Sequence, residues 1–189
     1  MLLEELKSKV LAKDELTKEE AMSLLDIDLE ELSEAANEIR KAFCGDSFDM
    51  CAVMNVKGGR CSENCRFCSQ SSCSSAQVPT FTVRDDEYVL SDALKHTGIG
   101  ISHYCQVASG RKMSSDGIKQ ICNNTHAIVK NTDLSPCVSL GLLNKDDLIA
   151  LKKSGVRRIH NNLETSERYF PKVCTSHTYH EKMQVMRLA

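Results

Sequence analysis

From Phe48 onward, short apolar runs alternate with longer amphipathic segments, and this restricts the fold more than any other feature of the sequence. The runs Phe48–Val56, Ile101–Ala108, Ser135–Leu140 and Val156–Ile159 have strand length. Between and after them, Asp86–His96, Ser115–Val129, Asn144–Lys153 and Thr178–Leu188 carry helical periodicity. Strands separated by helices pair in parallel through right-handed crossovers. The expected class is α/β, and four such β-α units are half of a (β/α)8, TIM-barrel-type fold. A doubly wound sheet satisfies the same periodicity, so the topology stays open at this stage. Gly98 and Gly155 stand where helix C-caps are expected.

Residues 1–45 read as an N-terminal helical cap, and 46–189 as the partial barrel. Thr17 with Glu20, and Asp28 with Glu31, have capping-box spacing. Leu29, Leu32, Ala35, Ala36, Ile39 and Phe43 form an apolar helical face. The pattern Thr178–Ala189 stops on a helix without Gly, Pro or a polar close, so a truncated chain is expected. A half barrel leaves two unpaired sheet edges. The formal net charge of −2 gives no electrostatic support to a nucleic-acid or membrane-surface partner. No run of about 18 apolar residues predicts a membrane span. The acidic start Met1–Leu6 lacks the pattern of a signal peptide.

Cysteine is the outlier of the composition, with 10 in 189 residues. Without an export signal these are expected to be reduced thiols in a cytoplasmic protein, which favours metal or cluster binding over a disulfide scaffold. The sharpest motif is Cys61-Ser62-Glu63-Asn64-Cys65-Arg66-Phe67-Cys68, a C-x3-C-x2-C run just after the first predicted strand. Three thiolates this close can wrap one inorganic centre. On a [4Fe–4S] cluster, three ligands leave one iron open. The competing reading is a zinc site with Cys73 as fourth ligand. Active sites of barrels are built at the C-terminal ends of strands, which is where this loop falls.

This motif, with its aromatic residue before the last Cys, resembles the signature of the radical S-adenosylmethionine enzymes. The wider run Asn55–Ser71, the segment His160-Asn161-Asn162-Leu163-Glu164-Thr165-Ser166, Cys137 with Ser139-Leu140-Gly141, and Phe170-Pro171-Lys172-Val173-Cys174 resemble the biotin synthase family within them. The resemblance implies that Cys61, Cys65 and Cys68 hold a [4Fe–4S] cluster whose open iron chelates S-adenosylmethionine. It implies that a 5′-deoxyadenosyl radical abstracts hydrogen from dethiobiotin, and that a second iron–sulfur cluster, of [2Fe–2S] type, supplies the sulfur of biotin. By position, Cys105 and Cys137 resemble ligands of that second cluster. Asn162 and Glu164 resemble the polar pair that contacts nucleoside and substrate, and Phe67 resembles a residue covering adenine. Each has a bland alternative: a buried small hydrophobe for the cysteines, a turn for the pair, ordinary packing for Phe67. A flavodoxin or ferredoxin electron donor and a homodimer are further implications.

The family's remaining ligands to the second cluster fall beyond Ala189, so the 189-residue chain alone is not expected to make biotin. Two alternatives stand beside this reading: another radical S-adenosylmethionine enzyme with a different substrate, and a non-catalytic iron–sulfur- or zinc-binding fragment. Cys44, Cys51, Cys122 and Cys174 are expected to be non-ligating thiols. His177 and His180 suggest nothing specific.

Overall fold

The computed structural model describes residues 2–59 and 61–189; Met1 and Arg60, within the N-terminal run and the motif-bearing stretch, lie outside the described residues. Two compact units are present, Met1–Phe48 and Asp49–Ala189.

The first unit holds α1 (Leu2–Leu11), α2 (Lys18–Ser23) and α3 (Leu29–Cys44). Thr17 caps α2 with the reciprocal box to Glu20. Asp28 caps α3 by accepting from the Glu30 and Glu31 amides, but Glu31 does not reach back, so the second box is half formed. Lys7 bridges Glu4 and Glu38 at 2.7 Å, joining α1 to α3. On the apolar face of α3 only Ala35 is buried; Leu29 stays 74% exposed.

The second unit is built on β1 (Met50–Lys57), with α4 (Asp86–Ala93), β2 (Ile101–Ala108), α5 (Ser115–Asn131), β3 (Ser135–Ser139), α6 (Lys145–Ser154), β4 (Arg158–Ile159), α7 (Phe170–Val173) and α8 (Tyr179–Leu188) following in order. All strand pairs are parallel and the sheet order is β1-β2-β3-β4. A doubly wound sheet needs a point where strand order reverses. None occurs here, so each β-α unit adds to the same side, as in a (β/α) barrel.

Register divides the strand residues between two faces. Met54, Gln106, Val138 and Ile159 are successive partners, and Val53, Cys105, Cys137 and Arg158 are the partners on the opposite face. The first face packs on the helices: Tyr104 donates to Asp92 of α4 at 2.8 Å. Gln106 donates to Thr125 at 3.1 Å and accepts from Asn124 at 3.1 Å, both on α5. Asn124 also donates to the Arg84 carbonyl at 3.2 Å. Each polar group of this buried cluster has a partner, which is the condition for tolerating it among Ile121, Ile128 and Val138.

Element ends differ from the sequence reading for identifiable reasons. The helix expected to run to His96 is α-helical to Ala93 and closes with one 3-10 turn at Leu94–His96. Thr97, not Gly98, caps it, with amide and hydroxyl both on the Leu94 carbonyl. Strand β4 begins at Arg158 because the Val156 amide is already committed to the Leu151 carbonyl at the end of α6, where Gly155 is the left-handed cap.

Candidate metal centre

The loop after β1 is folded by its own short-range polar bonds. The Cys61 amide donates to the Gln70 carbonyl at 3.2 Å and closes the loop. The Cys68 amide donates to the Cys65 carbonyl at 3.2 Å, a turn that brings the last two motif cysteines together. The Glu63 carbonyl accepts from the Ser72 amide at 2.9 Å and from the Ser71 and Ser72 hydroxyls, both at 3.1 Å. Serines of the run Ser69–Ser75 thus close the loop. A second set of bonds ties the loop to residues more than a hundred positions away. The Asn64 carboxamide oxygen accepts from the Thr175 and Ser176 amides at 2.9 and 3.0 Å, and its nitrogen donates to the Thr175 hydroxyl at 2.6 Å. Buried Glu63 accepts from the Ser176 hydroxyl at 2.8 Å, contacts His177 Nδ1, and lies 3.6 Å from Arg111.

Cys61, Cys65 and Cys68, all half-buried, open on one cavity of about 210 Å³. The same cavity is lined by Phe67, Asn162 and Glu164, so six of the residues singled out from the sequence share one wall. Glu164 holds a left-handed backbone conformation, φ 66°, uncommon for a residue with a side chain and typical of sites fixed by their surroundings. Polar residues outside those six also line the cavity, among them Arg111, His160, Asn161 and Lys182. His160 Nε2 and Asn161 Oδ1 are buried with no hydrogen-bond partner among the described residues. Buried polar atoms are seldom left so, and these stand ready for a ligand's polar groups. Their signal in the sequence was adjacency to Asn162, which is not itself evidence of orientation.

Among the described residues, only Cys65, Cys174 and His177 bring three ligand atoms within 4.8 Å of one another. The motif triad therefore does not converge on a point, as a single tetrahedral zinc would require. A polynuclear cluster offers a separate iron to each thiolate and spreads its ligands wider. Cys73 is exposed and stands outside any such group. The residues thus suit a cluster better than zinc on the triad. Burial, and then the hydrogen bond to Cys174, pushes the Cys65 thiol well above its ordinary pKa. Burial also opposes charge on Cys174, but the Ser176 hydroxyl and the His177 and Ser176 amides outweigh it and hold that thiol below its ordinary value.

Cys105 and Cys137 do not line this cavity. They are direct register partners on β2 and β3, fully buried, on the sheet face away from α4 and α5. Burial and the neighbouring Cys137 and Cys51 thiols push Cys105 up to about 12.

Residues 55–189 match the family described as the Radical SAM superfamily. The chain belongs to that superfamily. It is 41% identical over 187 residues to a biotin synthase of Brachyspira hyodysenteriae, a match that covers 99% of this chain and 56% of that protein. It is also 41% identical to a biotin synthase of Akkermansia muciniphila, covering 100% of this chain and 59% of the relative. The chain thus spans little more than half the length of these relatives. The crystal structure of methylornithine synthase (PylB) has the same fold over 97% of this chain and 55% of its own, with a TM-score of 0.82 and 17% identity. No helix among the described residues is long and apolar enough to cross a membrane.

Proposed function

We propose that this chain carries the cluster- and cofactor-binding part of a biotin synthase, which converts dethiobiotin to biotin by radical sulfur insertion. The observation that carries the reading is the single cavity onto which three motif thiols, the Asn162–Glu164 segment and two unpaired buried polar atoms all open. When bound there, a [4Fe–4S] cluster and S-adenosylmethionine supply the power to abstract hydrogen from unactivated C–H bonds.

The chain's residues then have separable tasks. Cys61, Cys65 and Cys68 give up their protons and ligate three irons. The Asn162 amide offers both a donor and an acceptor, which suits an adenine edge or a ureido ring. The Glu164 carboxylate accepts from ribose hydroxyls, as acidic residues do in dinucleotide sites. Phe67 packs on the adenine. His160 Nε2 and Asn161 Oδ1 take polar groups of the bound molecules and so end their own lack of partners. Cys105 and Cys137 hold part of a second, [2Fe–2S]-type cluster. A flavodoxin or ferredoxin supplies the electron, the protein works as a homodimer, and a reducing cytoplasm suits its free thiols.

Anaerobic reconstitution with iron and sulfide tests this. The expected result is uptake of about four irons per chain at the first site, with an electron paramagnetic resonance spectrum perturbed by S-adenosylmethionine. A cluster spectrum indifferent to S-adenosylmethionine, or failure to take up iron, would overturn it.

A further inference from the structure

Cys65, Cys174 and His177 form a second arrangement that the cluster reading does not use. Cys65 Sγ lies 3.8 Å from Cys174 Sγ, and Cys174 Sγ lies 3.3 Å from His177 Nδ1. Metal–sulfur bonds of about 2.3 Å and metal–nitrogen bonds of about 2.0–2.1 Å in a tetrahedron place ligand atoms about 3.5–3.8 Å apart. The observed spacings fall close to that without any movement of the backbone. Cys174 and His177 are buried, at 4% and 9% exposure, and Cys65 is half-buried. The segment that carries Cys174 and His177 is fixed to the motif loop by Asn64, and the Arg66 amide donates to the Val173 carbonyl at 3.0 Å. The three ligand atoms are therefore held before any ion arrives. The Glu63 carboxylate, beside Arg111, contacts this same His177 Nδ1; to ligate, Nδ1 gives up that contact, and a proton it carries passes to the carboxylate, so that His177 binds as neutral imidazole.

We propose that Cys65, Cys174 and His177 bind one soft divalent cation of the zinc class. Two thiolates neutralise the ion, and binding releases the two thiol protons. Cys65 belongs to both this set and the motif triad. It cannot hold the ion as a terminal ligand and also hold an iron, so the ion and the cluster exclude one another. The ion site stands on its own geometry; the exclusion rests in addition on the function proposed above.

Cobalt(II) alone is the probe, added anaerobically to the reduced, metal-free chain. The expected result is a single equivalent bound, with thiolate charge-transfer absorption and the visible bands of a tetrahedral ion, displaced by zinc. Cys174→Ser and His177→Gln should each weaken binding roughly tenfold or more, with Cys174→Ala as a second variant and circular dichroism confirming the fold. Cys61→Ser and Cys68→Ser should leave cobalt binding unchanged. Binding lost in Cys61→Ser or Cys68→Ser and kept in Cys174→Ser would place the ion on the triad and overturn the proposal, as would absence of a stoichiometric complex. For the exclusion, zinc loaded first should suppress cluster reconstitution in the unmodified chain and have no effect in Cys174→Ser; equal cluster yield with and without zinc in the unmodified chain would refute it. A chain that binds cobalt in the expected pattern but takes up no cluster supports the ion site and refutes the function proposed above.

Discussion

The two groups of cysteines are held in opposite ways. Cys105 and Cys137 are placed by sheet register: once β2 and β3 pair, their side chains must emerge together on one face. Cys61, Cys65 and Cys68 sit on a loop whose shape depends on side-chain bonds to a distant segment, chiefly through Asn64 and Glu63. Backbone ladders tolerate the loss of a side chain. A loop tied down largely by the side chains of Asn64 and Glu63 is more sensitive to such a loss. The fold thus fixes the strand-borne pair by backbone pairing, and the loop-borne triad by bonds within the loop together with bonds to residues 173–177.

Replacing a triad member should give the largest effect. Cys65→Ala, or either of its partners changed likewise, is expected to abolish reconstitution at the loop, read as iron content and loss of the paramagnetic signal. Cys105→Ala should leave that signal in place. Equal loss from both variants would erase the distinction between the regions. Next comes Asn64→Ala, which removes three good hydrogen bonds and frees the 173–177 segment. At about 1 kcal/mol per bond the cost is about 2–3 kcal/mol in urea unfolding, accompanied by poorer cluster retention. A destabilisation below about 0.5 kcal/mol would mean the docking is fixed by something other than Asn64.

How much of this was visible in the chain follows the same division. Strand and helix positions and the α/β class could be read from periodicity, because repeating apolar spacing is a local property. Choosing the barrel over the doubly wound sheet required seeing the strand order, which periodicity does not encode. The motif triad lies within eight residues and is legible in the sequence for that reason. Cys174 and His177 lie 109 positions from Cys65 and 114 from Glu63, with which they form their contacts. No spacing rule reaches that far. The same applies to Gly98, which sits beyond a helix end like a cap; only the turn geometry shows that Thr97 has taken that role.

A smaller effect is expected at Gly141, where β3 runs into the cavity wall. Its φ of +77° is left-handed, and an added Cβ would lie 2.3 Å from the Arg111 carbonyl oxygen. Gly141→Ala should therefore cost about 1–3 kcal/mol, seen as a lowered Tm, and should shift Arg111 away from Glu63. An unchanged Tm would show that the Arg111 loop can yield.

The smallest effect concerns pH and probes the strand-borne pair alone. The folded state holds Cys105 protonated up to about 12, chiefly by burial, whereas an unfolded cysteine titrates near about 8.5. Above about pH 8.5 the unfolded chain therefore binds fewer protons than the folded one, and the free energy of unfolding falls as pH rises. Below that pH both states are protonated and the contribution is constant. For the metal-free chain the loss should amount to about 1–2 kcal/mol between about pH 8.5 and 10, on top of whatever other groups contribute. Subtracting the profile of Cys105→Ala isolates it. If the two profiles run parallel across that interval, Cys105 ionises as readily in the fold as out of it, and the sheet face that carries it is wetter than its burial indicates.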